Sequence, residues 1–156
     1  MPKSQLANLT LHKRKKDVFF GQVSDVIVQC DGFLKFGEYR NGCSVAIVEN
    51  GKCIYKRIYL LEKLKNKNLK MFAEKEKVTN NVVEYFAIYC AAILASQYRI
   101  PFIYSDSELC VKQLMDGWSI NLSHLKLWNK LCKKHLKKYM SVVWFSRDAN
   151  VKVLGH

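Results

Sequence analysis

Asp31 and Asp106 each close an apolar stretch, Val26-Ile27-Val28-Gln29-Cys30 and Phe102-Ile103-Tyr104-Ser105. An anion at the end of a hydrophobic strand is costly to bury unless it is paired or holds a cation. A third carboxylate, Glu84, stands about one turn into a helical pattern that opens at Thr79, where it can point at the same strand ends. Three hard oxygen ligands drawn from separate elements suit Mg²⁺ or Mn²⁺. The six cysteines (Cys30, Cys43, Cys53, Cys90, Cys110, Cys132) are scattered without a C-x-x-C pair, which argues against zinc and against a disulfide framework. They read as small buried hydrophobes of a reducing compartment.

The elements that must position these carboxylates follow from periodicity. Residues 25–31 alternate, with Val26, Val28 and Cys30 on one face and Ile27, Gln29 and Asp31 on the other, so a strand is expected to end on Asp31. Cys43 to Glu49 and Lys52 to Tyr59 are strand-like and are joined by Asn50-Gly51, a strong hairpin signal. Residues 61–77 are rich in Lys and Glu and predict a polar connector or short surface helix. From Thr79 to about Tyr98 the spacing of Val83, Ala87, Ala91 and Leu94 predicts a helix, which Arg99-Ile100-Pro101 breaks. A short strand ends on Asp106, Ser107 caps a helix running to about Met115, and Asp116-Gly117 stops it. A longer helix is predicted over 121–139, its apolar stripe (Leu125, Trp128, Cys132, Leu136, Tyr139) opposing Lys126, Lys130, Lys133, Lys134, Lys137 and Lys138. Residues 141–147 form a fifth strand, and 150–156 a short helical tail. The order β β β α β α α β α implies one α/β domain over 25–156 with a mixed five-stranded sheet.

The chain of 156 residues carries 26 Lys and Arg against 13 Asp and Glu, a net charge of +13 that points to a polyanionic partner, nucleic acid first. A general lysine bias is the alternative. Residues 1–24 read as a basic arm whose cluster, His12 to Lys16, touches phosphate or is simply solvated. No apolar run approaches the roughly 18 residues of a membrane span, and Met1 to Gln5 does not open a signal peptide, so a cytoplasmic protein, monomeric and away from membranes, is expected.

Four segments in order carry a family resemblance: Cys30-Asp31-Gly32 after an apolar strand, Thr79-Asn80-Asn81-x-x-Glu84-Tyr85, Tyr104-Ser105-Asp106-Ser107, and Trp144-Phe145-Ser146-Arg147-x-x-Asn150. Together they resemble type 1 ribonuclease H over most of the chain. The resemblance implies a ribonuclease H-like fold with strand order 3-2-1-4-5 and its first three strands antiparallel, which makes Asp31 and Asp106 neighbours. It implies an endonuclease that cuts the RNA strand of RNA/DNA hybrids, leaving 5′-phosphate and 3′-hydroxyl ends. Two ions about 4 Å apart, Mg²⁺ or Mn²⁺, would be bridged by Asp31 and held singly by Glu84 and Asp106. Glu84 would also sense the 2′-hydroxyl that marks RNA. Gly32, Asn80 and Asn81 would meet the nucleic acid, although helix capping accounts equally for the two asparagines. Lys130, Lys134 and Lys138 either neutralise DNA phosphates or form a solvated face. Trp118 stands where such enzymes often carry an aromatic beside the DNA strand, while an isolated Trp after a helix stop is otherwise a core residue.

The pattern departs from the family at its end. Type 1 enzymes continue Asn-x-x-Ala-Asp, but Leu154 stands four residues past Asn150, Asp148 precedes it, and His156 comes two positions late. His156 is the candidate fourth metal ligand, against a frayed or extraneous terminal histidine. The missing carboxylate also permits a second reading, a catalytically impaired ribonuclease H-like module that binds nucleic acid without cutting it.

Overall fold

A computed structural model describes residues 26–64 and 78–156; the expected basic arm and most of the polar connector lie outside them. Strands β1 (Val26–Phe36), β2 (Tyr39–Glu49) and β3 (Lys52–Leu60) form two successive hairpins, and a single 3-10 turn at Leu61–Lys63 follows. Helix α1 (Asn80–Tyr98), strand β4 (Phe102–Ser105), helices α2 (Glu108–Met115) and α3 (Ser123–His135), strand β5 (Ser141–Trp144) and helix α4 (Arg147–Leu154) complete the chain. The sheet order is β3-β2-β1-β4-β5, with β1, β2 and β3 antiparallel and β1, β4 and β5 parallel, as the resemblance implied.

Local chemistry sets the turns. Asn50 and Gly51 both adopt positive φ (51° and 79°), the left-handed pair that a two-residue hairpin turn requires. Gly37, at φ 60°, opens the other two-residue turn between Phe36 and Tyr39. That hairpin corrects the expectation that the first strand stops at Asp31. The strand runs five residues further, because Phe33 and Phe36 continue a pattern that β2 can pair.

The core lies between the sheet and α1. Val26, Val28 and Cys30 of β1 and Cys43, Val45 and Ile47 of β2 meet Phe86, Ala87, Ala91 and Ala95 of α1. Trp128 of α3 packs edge-on against Phe86 and Tyr89, with ring centroids 6.1 and 6.2 Å away, contacts worth about 0.5–1.5 kcal/mol each beyond the area they bury. Beside them the Tyr85 hydroxyl donates to Gln113 of α2 and accepts from Asn129 Nδ2 of α3 at 3.2 Å, so one buried hydrogen-bond chain fixes three helices together. The opposite sheet face is closed by α4, whose Leu154 is fully buried against Ala46 and Val48.

Further boundaries differ from expectation. Helix α3 ends at His135, leaving Lys138 in the following turn, since Lys137, Lys138 and Tyr139 are all exposed and bury no face before Met140 re-enters the core. Strand β5 stops at Trp144 because Ser146 caps α4, its Oγ accepting from the Ala149 amide at 3.4 Å; the last helix therefore begins at Arg147 and not at Asn150. Trp118 is 47% exposed, not core.

Candidate metal centre

The parallel ladder between β1 and β4 ends with Cys30 opposite Ser105, so Asp31 and Asp106 are the first residues past it on adjacent strands. Two carboxylates are thereby brought side by side. Glu84 reaches them from the second turn of α1, which approaches β1 closely over Gly32. A Cβ on Gly32 would stand 2.3 Å from the Val83 carbonyl carbon and 2.6 Å from the Glu84 amide nitrogen. The Gly32 amide donates to Glu84 Oε1 at 2.9 Å. Gly32, expected at the nucleic acid, does line the cleft, but helix packing is what forbids a side chain there.

Among the described residues, Asp31, Glu84 and Asp106 form a group whose ligand atoms lie within 4.8 Å of one another. Their electrostatics are unfavourable without a cation. Burial pushes the Glu84 carboxyl up to about 10, with further upward pressure from Asp31 and Asp106 and a smaller opposing effect of the Gly32 amide. Asp106 is raised to about 6, again by burial first and Asp31 second, while Asn150 and Arg147 pull it down. Glu84 Oε2 is buried and receives no hydrogen bond. An orphaned buried oxygen among three crowded carboxylates is the donor set a divalent, oxygen-seeking ion fits.

Helix α4 frames the group from the other side. Asn150, fully buried, donates to the Cys30 carbonyl at 2.9 Å and accepts from Gln29 at 3.4 Å. Trp144 donates its indole N–H to the Asp106 carbonyl at 3.1 Å. Leu154 serves the core, so the position where the family pattern has a carboxylate offers no ligand. Gly155, at φ 83°, then turns the chain and brings His156 back to the site. Its Nδ1 lies 2.8 Å from Asp31 Oδ2, although the ring stays outside the 4.8 Å group. The terminal histidine is therefore held, not frayed.

These residues floor an open cleft of about 450 Å³, lined also by Asn80, Asn81, Ser107, Arg147 and the Phe33–Lys35 segment. Thr79, and neither asparagine, caps α1, its Oγ1 accepting from the Val82 amide at 3.4 Å, which leaves Asn80 and Asn81 to face the cleft. Lys130 and Lys134 are exposed on α3, remote from the carboxylates in sequence and absent from the cleft wall. Sequence reasoning missed Arg147, Phe33 and Ser44 as parts of the site. The signal for Ser44 was Gly37: a two-residue turn there puts Ser44 opposite Asp31.

Comparison with family models gives no match, and no curated protein matches the sequence significantly. Solved structures do match. RNase H1 of the halophilic archaeon Halobacterium salinarum NRC-1 superposes with a TM-score of 0.60 at 20% identity, over 82% of this chain and 90% of its own. LC11-RNase H1, solved in complex with an RNA/DNA hybrid, gives 0.59 at 19% identity over 82% and 90%. The N-terminal RNase H domain of a Mycobacterium tuberculosis protein gives 0.57 at 16% over 82% and 86%. The chain has the ribonuclease H fold. In a ribonuclease H fold with strand order 3-2-1-4-5, the cleft described above lies at the ends of the two central parallel strands, β1 and β4. Such strand ends are the usual location for ligands in sheets that contain parallel strands.

Proposed function

We propose that this chain is a type 1 ribonuclease H, a divalent-metal-dependent endonuclease that hydrolyses the RNA strand of RNA/DNA hybrids to 5′-phosphate and 3′-hydroxyl ends. The observation that carries the proposal is the convergence of Asp31, Glu84 and Asp106 within 4.8 Å on the floor of an open cleft. The shared fold with RNase H1 proteins, one of them bound to a hybrid, supports the substrate. Asp31 would be shared by two ions, Mg²⁺ or Mn²⁺, with Glu84 and Asp106 holding one each and His156 as the fourth ligand. Bound there, such ions supply an activated water and offset the charge that develops on the phosphate.

The other tasks fall to the chain's own groups. Asn80 and Asn81 offer amide donors to the sugar-phosphate backbone at the N-terminus of α1, where the helix dipole favours an anion. Glu84, beside Gly32, is the acceptor for the ribose 2′-hydroxyl. Arg147 adds positive charge on the wall next to Asp106, and Lys130, Lys134 and Lys138 grip phosphate outside the cleft. A cytoplasmic monomer is the form proposed; among the described residues no helix is long and apolar enough to cross a membrane.

Leu154 at the usual carboxylate position favours a second reading, a binding module that does not cut. The test is to incubate the protein with end-labelled hybrid, double-stranded RNA, single-stranded RNA and duplex DNA, in Mg²⁺ and in Mn²⁺. Cleavage of hybrid alone, abolished by Asp31→Asn, Glu84→Gln or Asp106→Asn with hybrid binding retained, is the expected result. Hybrid bound but never cut in either metal would establish the binding module, and near wild-type cutting by Asp31→Asn would refute the metal site.

A further inference from the structure

One side chain holds the terminal histidine from behind. Ser44, fully buried on β2 opposite Asp31, has its Oγ 2.7 Å from His156 Nε2, while Nδ1 of the same ring faces Asp31 Oδ2 at 2.8 Å. Both ring nitrogens are therefore engaged. Phe33 meets the ring edge-on at 5.2 Å between centroids, and Phe36 packs against it at 4.7 Å. The backbone leading to the ring is fixed as well: Leu154 is buried in one cluster with Ala46 and Val48, and its carbonyl accepts from Lys56 Nζ at 3.1 Å. Gly155 supplies the left-handed turn.

A ligating imidazole needs a partner on its second nitrogen, because that bond fixes which nitrogen is free and where the ring points. A buried hydroxyl suits the task, since it can accept from an N–H or donate to a bare nitrogen. We propose that Ser44 is a positioning residue that aims His156 Nδ1 at the cation site, so that this site is a mixed carboxylate and imidazole centre which discriminates in favour of Mn²⁺ over Mg²⁺. The inference rests on the metal site proposed above and adds its fourth ligand's support and its ion preference. Imidazole nitrogen is a poor ligand for Mg²⁺ and an acceptable one for Mn²⁺, so loss of the ring's orientation should weaken Mn²⁺ binding far more than Mg²⁺ binding.

Calorimetric titration of the full chain with Mn²⁺ and separately with Mg²⁺ tests this without any cleavage assay. Ser44→Ala should weaken Mn²⁺ binding by about tenfold, the low end for removing the partner that orients a ligating histidine, and His156→Ala by at least as much. Mg²⁺ binding should change by less than about twofold, and Ser44→Thr should restore Mn²⁺ affinity. In the unaltered protein, substoichiometric Mn²⁺ should broaden the His156 ring resonances selectively, an observation that needs no variant to fold. Unchanged Mn²⁺ affinity in Ser44→Ala overturns the role of Ser44 and leaves the three-carboxylate site standing, whereas a His156 ring untouched by bound Mn²⁺ puts the ion away from Asp31 and overturns both. Failure of the unaltered protein to bind either ion overturns both.

Discussion

Gly32 and Glu84 are joined across the β1–α1 contact by a single hydrogen bond of 2.9 Å, and the absence of a side chain on Gly32 is what lets the helix come close enough to make it. Helix α1 is thus seated directly on the strand that carries Asp31. The position of one carboxylate of the candidate metal centre relative to another is set by backbone touching backbone.

Gly32→Ala is expected to fail for that reason. The new methyl would meet the Val83 carbonyl carbon and oxygen at 2.3 and 2.4 Å, and these are backbone atoms that cannot rotate away. Overpacking of this kind costs about 1–3 kcal/mol. Urea denaturation should register that loss, and hybrid cleavage should fall further than stability does, because Glu84 moves with the helix. A variant as stable and active as the parent would show that α1 tolerates displacement at this point.

Metal-free protein should lose stability as pH rises. Glu84 moves from an ordinary 4.5 to about 10 on folding, and Asp106 from 3.8 to about 6. Raised carboxyl values mean that the folded state keeps protons the unfolded chain has released. Stability from this source is complete below about pH 4 and declines above it, the Asp106 part by about pH 6 and the Glu84 part up to about pH 10. In chelator, the melting temperature at pH 5 should therefore exceed that at pH 8, net of the other titrating groups. Glu84→Gln should raise the pH 8 value by a few degrees and flatten the slope, at the expense of activity. Added Mn²⁺ should reverse the trend, since it binds the ionised form. A pH 8 melting temperature unaffected by Glu84→Gln would mean that the carboxyl is not the burdened group.

Charge on α3 should appear in the salt dependence of binding. Each phosphate contact contributes a slope of roughly −0.9 to log affinity against log salt for a duplex of B-DNA type, and a hybrid should behave similarly. Lys130→Gln and Lys134→Gln, on the exposed face of the helix, should each flatten the slope by about that amount without altering the cleavage products. Lys138 lies in the turn beyond His135, so Lys138→Gln should have the smaller effect. Equal slopes for parent and double variant would return this face to solvent.

Local signals carried much of the architecture. Alternation in Val26–Cys30, the Asn50-Gly51 turn, the Thr79 cap and the Arg99-Ile100-Pro101 break each act over a few residues, and each element they predicted exists. Asp31 and Asp106 were legible because charged residues abutting apolar strands break a pattern that burial otherwise enforces, and Glu84 because it stands one turn into the helix that opens at Thr79. Element ends were less legible. The last turn of α3 and the start of α4 depended on where an apolar face runs out and on which serine captures a free amide, and neither competition is decided by residue type alone.

The sequence by itself determined the carboxylate set, the order of elements and the basic surplus, because each is a matter of residue type and short-range spacing. Only the tertiary structure decided the fate of Leu154, His156, Gly32 and Asn80. Leu154 falls on the face toward Ala46 and Val48 and becomes core, while Gly155 redirects the chain so that a histidine two residues late still reaches Asp31. Gly32 is required by a helix 52 residues further along the chain. Asn80 is released to the cleft because Thr79 already caps the helix. These outcomes depend on which distant backbone arrives at a given place, and contacts between segments far apart in sequence leave no periodicity to read.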